Sequence, residues 1–265
     1  MYILSFVFSK TAAHPAVARC LRPCQFALAC ANFCVLNASY CPNISLKPVR
    51  LHMLTVLKLE NCEGITFASV AAISHSYMLE SGSLSWKLVL RRQESLTALA
   101  LQSHHLKEVD LSDCESLVNS ICEVFGDGGG CPILKSLFLD NCKFLTAVGL
   151  CTTSLVSLSL AGCRAITFLE LTCPYLEVVH LDGCDHIERT LFCPVDLQSL
   201  NIGICPKLNF LRIEAPHLVL LELKGCGVLS KASFNYPLLA CSDASFCRSC
   251  FIFGILLIIV FRSCH

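Results

Sequence analysis

The side chains best equipped for chemistry in this chain are its twenty-one cysteines. A thiolate is a nucleophile, a metal ligand and half of a disulfide, so spacing and surroundings decide among these roles. Cys20, Cys24, Cys30 and Cys34 are spaced within the range that zinc ligands tolerate, but they sit in an apolar segment lacking the polar groups that orient metal ligands. Cys247 and Cys250 form a C-x-x-C pair, yet a redox role needs an exposed thiol of lowered pKa, for which nothing around them argues. His104 and His105 have no nucleophile and orienting acid converging on them, and read as turn residues. The Gly128-Gly129-Gly130 run lacks the Lys-Ser/Thr of a phosphate loop; it reads as the end of a helix and a hinge into Cys131-Pro132. No catalytic residue, metal or cofactor is expected, and the chain is read as not an enzyme.

What organises the cysteines is a period. The pattern apolar-x-x-Leu-x-Leu/Ala-x-x-Cys recurs along the chain, with Val or Ile at some leucine positions, and the cysteines at its end are Cys41, Cys62, Cys114, Cys142, Cys163, Cys184, Cys205, Cys226 and Cys247. From Cys142 to Cys247 every step is 21 residues, as is Cys41 to Cys62. Leu134, Leu137 and Leu139 precede Cys142, and Leu155, Leu158 and Leu160 precede Cys163. After eight of the nine cysteines the third residue on is Leu or Ile, as in C-E-G-I and C-K-F-L. This recurrence resembles the leucine-rich repeat, whose signature is L-x-x-L-x-L-x-x-N/C at 20–29 residues.

The elements that must carry such a period follow from its geometry. Alternating leucines share one face of a short strand, and stacked strands form a parallel sheet over a continuous core. Cysteine is small, largely apolar and commonly buried, which suits the ladder position where the chain leaves the strand. Reduced, buried thiols are expected, because every coil uses the same position and no clear secretory signal precedes them. The second half of each coil carries an extended triplet, such as Leu145, Val148 and Leu150, or Leu208, Leu211 and Ile213. The expected fold is an α/β repeat solenoid: a leucine-rich-repeat array with a parallel concave sheet, a β-rich convex side in the 21-residue coils, and a few short convex helices. Leu117, Ile121, Val124 and Phe125 predict one helix, ended by Gly126 to Gly130, and Ile65 to Ser74 predicts another.

The pattern has gaps. From Ser76 to Gln93 the phase is lost, and Cys62 to Cys114 spans 52 residues without a ladder cysteine. Leu96, Leu99 and Leu101 form a triplet there, with His104 where cysteine is expected, which reads either as a degenerate coil or as a place where sequence is missing. Three regions result: an off-pattern segment 1–32, a repeat domain 33–247 and an apolar tail 248–265. Met1 to Phe8 lacks a basic n-region, and the run of 11 apolar residues from Phe251 to Phe261 is shorter than the ~20 a membrane span needs. Membrane attachment is not expected, and the two ends are expected not to belong to the fold, as in a truncated product.

Within residues 33–247 the segments L-N-A-S-Y-C-P-N-I-S-L, L-T-V-L-K-L-E-N-C-E-G-I-T, L-K-E-V-D-L-S-D-C-E-S-L, G-G-G-C-P-I-L-K-S-L and L-N-I-G-I-C-P-K-L are similar to the plant F-box/LRR-repeat protein 15 type. That resemblance implies the substrate-recognition subunit of an SCF-type (Skp1–cullin–F-box) ubiquitin ligase, feeding ubiquitin-dependent degradation in the cytoplasm and/or nucleus. An F-box is not recognisable in residues 1–32, so the chain is expected to keep the substrate arm and to lack the usual route to Skp1 and cullin.

The candidate partner-binding residues are the outward positions of the concave strands: Lys58, Glu60, Glu108, Asp110, Asp140, His180, Asp182, Asn201, Glu222 and Lys224. The row leans acidic, which predicts a protein partner offering a basic or polar segment. Lys+Arg and Asp+Glu are both 20, so the chain carries no basic excess and nucleic acid is not an expected partner.

Overall fold

A computed structural model describes residues 17–19, 35–37, 39–40, 55–62, 65–66, 70, 86–94, 96–97, 101–192, 194–234, 241–243 and 245. Cys20, Cys24, Cys30, Cys34, Cys41, Cys247, Cys250 and the run Phe251 to Phe261 lie outside the described residues. The chain divides into two compact units, Met1–Phe138 and Leu139–His265.

In the first unit six strands pair in sequence order, each parallel to the next: β1 (Val17–Arg19), β2 (Val35–Asn37), β3 (Val56–Lys58), β4 (Trp86–Val89), β5 (Leu106–Asp110) and β6 (Ser136–Phe138). β1 falls in the segment where the sequence shows no repeat, and pairs Val17 with Val35. The helix α1 (Ile121–Phe125) lies between β5 and β6 and ends where Gly126 donates its N–H to the Cys122 carbonyl. It is shorter than the apolar spacing predicts, because Leu117 is claimed by a turn in which its N–H bonds the Cys114 carbonyl. The equivalent turn follows the ladder cysteine in the other unit too, from Leu145, Ile166, Ile187, Leu208 and Leu229. Gly130 has no room for a side chain: a Cβ there would overlap the Leu101 carbonyl, and Ser103 donates its N–H to the Gly130 oxygen at 2.7 Å. Of the helix expected over Ile65 to Ser74, Val70 is helical and bonds the Thr66 carbonyl; most of the remainder lies outside the described residues.

The second unit has two layers. Its front sheet is β8 (Ser157–Ser159), β10 (Val178–His180), β12 (Ser199–Asn201), β14 (Leu220–Glu222) and β16 (Cys241–Asp243), all parallel and all in a 21-residue register. Its back consists of β7 (Ala147–Cys151) with β9 (Phe168–Thr172), and of β11 (Arg189–Phe192), β13 (Phe210–Ile213) and β15 (Lys231–Phe234). The extended second half of each coil is thus strand, as its triplets predict. A coil of 21 residues spends three or more on the front strand and four or five on the back, which leaves no length for a helix.

Leucines from each front strand fill the space between the layers. Leu158, Leu160, Val179, Leu181, Leu200, Ile202, Leu221 and Leu223 are all 0–3% exposed, and burying each such side chain contributes about 1.5–3 kcal/mol. The ladder cysteines Cys114, Cys142, Cys163, Cys184, Cys205 and Cys226 are fully buried free thiols. Their contacts repeat. Cys114 Sγ donates to the Leu90 carbonyl at 3.0 Å, Cys163 to Leu139 at 3.0 Å, Cys184 to Leu160 at 3.3 Å, Cys205 to Leu181 at 3.4 Å and Cys226 to Ile202 at 3.1 Å. These five thiols therefore each donate to a strand-exit carbonyl of the coil before, whereas Cys142 Sγ donates to the Asp140 carbonyl of its own coil at 3.8 Å.

This ladder locates the degenerate coil and corrects the sequence reading. The coil between Cys62 and Cys114 is built on Leu88, Leu90 and Gln93, all buried, rather than on Leu96, Leu99, Leu101 and His104. Gln93 occupies the cysteine position: its Nε2 donates to the Leu59 carbonyl at 2.6 Å, the acceptor a ladder thiol would use. The step from Gln93 to Cys114 is then 21 residues, and the irregular one is the 31 from Cys62 to Gln93. Leu96 takes the buried turn position three residues on, and His104 and His105 form the turn before β5.

Two outcomes follow from the ladder. Gln93→Glu replaces the donor by a carboxylate facing the Leu59 and Arg91 carbonyls. Burial and those oxygens raise its folded-state pKa above the ordinary ~4.3, so stability is retained below about pH 4 and falls as pH rises, by at least ~2 kcal/mol at pH 7 in urea melts. Gln93→Cys keeps a donor and removes the unpartnered Gln93 Oε1, so it should match or exceed the native chain at both pH values. Burial also pushes the Cys114 and Cys131 thiols from 9.0 up to about 12. Between those values the unfolded chain releases protons that the folded one holds. Stability should therefore drop above pH 9, by about 1.4 kcal/mol per pH unit per thiol, as followed by circular dichroism.

Candidate functional site

The candidate surface is the outward face of the front strands. In the first unit β3 carries Lys58, with Glu60 in the turn after it, and β5 carries Glu108 and Asp110, with β4 between the two strands. They are joined by residues of the coil that the sequence reading missed. Lys87 pairs with Glu108, with Cα atoms in direct register across β4 and β5. Arg91 reaches Asp113 at 2.9 Å and Asp110 at 3.8 Å; Arg92 reaches Glu60 at 3.6 Å and Asp113 at 3.7 Å. Partial burial works against the Arg91 charge, but Asp110 and Asp113 outweigh it and raise the guanidinium pKa. The acidic lean of this row is therefore offset within the unit by Lys87, Arg91 and Arg92. Treating Gln as a donor equivalent to Cys at the ladder position is the signal that would have found them, since W-K-L-V-L-R-R-Q then falls 21 residues before Cys114.

In the second unit Asp140, His180, Asp182 and Asn201 are half-buried, and Glu222 and Lys224 are exposed. Several also build the turn out of the strand. Asn201 Oδ1 accepts the Gly203 N–H at 3.0 Å, as Asp110 Oδ1 accepts that of Ser112 at 3.1 Å in the other unit. Asp140 Oδ1 accepts from the Ser159 hydroxyl at 2.5 Å and from the Ala161 N–H at 3.0 Å, crossing to the next coil. Asp243 likewise accepts the Ser245 N–H at 2.9 Å, and that bond, ahead of any charge effect, holds its carboxyl below the usual range. Asp182 and Glu222 form no ion pair among the described residues.

The residue before each ladder position turns the chain through the left-handed region: Asn61, Arg92, Asp113, Asn141, Gly162, Gly183, Ile204 and Gly225 all have φ between 49° and 78°. Asparagine, aspartate and glycine suit that conformation. Ile204, at φ 52°, is β-branched and 60% exposed, so it is strained without burying its side chain.

A 21-residue parallel register, a leucine core and a ladder of buried donors are now all in place. The fold is that of a leucine-rich-repeat array. The family model described as Leucine Rich repeat matches residues 102–119, which span β5, the ladder residue Cys114 and the turn leucine Leu117. Leucine-rich repeats generally present their strand faces to proteins, and these rows of outward side chains provide such a face.

Ile204→Gly should raise the unfolding free energy by about 1–2 kcal/mol, the cost of holding a side chain in the left-handed region, read as a higher denaturant midpoint at unchanged m-value.

Proposed function

We propose that the chain is a non-enzymatic protein-binding module whose repeats act as the substrate-recognition arm of an SCF-type ubiquitin ligase receptor, as in the F-box/LRR-repeat proteins it resembles, in the cytoplasm and/or nucleus. The observation that carries the protein-binding reading is the front sheet of the second unit. It repeats every 21 residues and sets His180, Asn201 and Glu222 side by side on adjacent strands, with Asp182 and Lys224 just beyond the strand ends. The ubiquitin link rests on the sequence resemblance, which extends to the turns as well as the leucines. The ladder thiols are buried in the core, out of reach of a substrate. Substrate binds across the front strands through polar and basic side chains complementary to Asp182 and Glu222, while Skp1 and cullin engage only through an F-box.

The test is affinity capture of the full chain beside Asp182→Lys/Glu222→Lys, scored by quantitative mass spectrometry for Skp1, cullin and a third protein. A third protein retained by the native chain and reduced about tenfold by the double variant is the expected result; its absence overturns the reading. If that protein's half-life is unchanged when the chain is overexpressed, the module is a scaffold outside ubiquitin-dependent turnover.

A further inference from the structure

The back of the second unit carries a surface that the front-face reading does not use. Phe168, Arg189 and Phe210 hold the same place in three successive coils, 21 residues apart, on β9, β11 and β13. They line an open groove of about 610 Å³ together with Leu191 and Lys207. Phe168 and Leu191 are 54% and 53% exposed, so large apolar surface is left in water. The Arg189 guanidinium lies 5.8 Å from the centroid of the Phe210 ring, and the two residues are in direct register across β11 and β13. The Thr190 hydroxyl, also in the lining, is buried without a hydrogen-bond partner.

Charge distinguishes this groove from its surroundings. Arg164 is paired with Asp185, and Arg212 with Glu214. Arg189 and Lys207 have no carboxylate partner among the described residues. A guanidinium held over a ring presents its N–H fork to an incoming carboxylate, and the flanking Phe168 and Leu191 are suited to apolar side chains.

We propose that this groove docks an acidic segment of a partner protein, in which carboxylates alternate with apolar side chains: the carboxylates meet Arg189 and Lys207, and the apolar side chains cover Phe168 and Leu191. A nucleic acid fits less well. Its phosphates need a continuous track of cations, whereas two cations here share the groove with Glu188. The surface is independent of the front face, so one protein could hold two partners.

The probe is a fluorescein-labelled peptide of alternating Glu and Leu, titrated by anisotropy with the full-length chain. Its Gln-for-Glu analogue and a labelled oligothymidylate are run beside it. The Glu peptide should bind at least about tenfold more tightly than either, and weaken as salt rises. Arg189→Gln/Lys207→Gln should cost about tenfold, while Asp182→Lys/Glu222→Lys on the front face leaves binding unchanged. Because a variant could misfold, a peptide bearing a photoreactive phenylalanine is also cross-linked to the unmutated chain, with adducts expected on β9, β11 or β13. Equal binding of the Gln analogue, tighter binding of the oligothymidylate, loss of binding in the front-face variant, or adducts confined to the front strands would each overturn the proposal.

Discussion

The hydrogen bond by which Gln93 and five of the ladder cysteines reach back to the preceding coil is the constraint on which the rest depends. A solenoid coil must leave its strand through a turn, and the strand-exit carbonyl meets the ladder side chain of the next coil. Cys114, Cys163, Cys184, Cys205 and Cys226 each donate to that carbonyl from a side chain small enough to stay within the core, and the Leu160 and Leu181 carbonyls also accept the N–H of the cysteine that ends their own coil. The bond links neighbouring coils at a fixed place, so it sets register as well as satisfying the acceptor. Gln93 shows that the requirement is for a donor rather than for sulfur. Its amide makes the same bond, at the cost of a buried oxygen with no partner.

With that point pinned, coil length governs the layer behind. Twenty-one residues allow a front strand, a tight turn and a back strand, and the back of the second unit is accordingly β. The longer interval between Cys114 and Cys142 has room for α1, which needs Gly126 to Gly130 to stop it and to let the backbone pass close to Leu101. The same arithmetic bears on function. A coil of constant length repeats its outward positions in register, so His180, Asn201 and Glu222 line up on one face while Phe168, Arg189 and Phe210 hold one place on the other. Two aligned surfaces arise from a single period.

The front-face residues also divide between structure and recognition. Asp110, Asp140 and Asn201 have oxygen atoms committed to backbone N–H groups of the turns, and Glu60, Glu108 and Asp110 have cations beside them. Among the described residues Asp182 and Glu222 carry neither kind of commitment, which makes them the carboxylates with most to offer a partner. Composition could not separate these classes, since an aspartate in an Asx turn and an aspartate awaiting a ligand are the same letter.

The one-dimensional pattern by itself determined the period, the leucine core, the buried cysteines and the extended back strands, because each of these is a consequence of spacing along the chain. It also placed Lys58 on one front strand and Glu108 and Asp110 on another. Only the tertiary structure decided what happens where spacing fails. Leu88, Leu90 and Gln93 form a coil because Gln93 Nε2 reaches the Leu59 carbonyl, 34 residues away. Likewise Arg91 and Arg92 neutralise the acidic row because that coil stacks between β3 and β5. A hydrogen bond or an ion pair between coils depends on distance in space, and where an irregular 31-residue interval intervenes, distance along the chain no longer stands in for it.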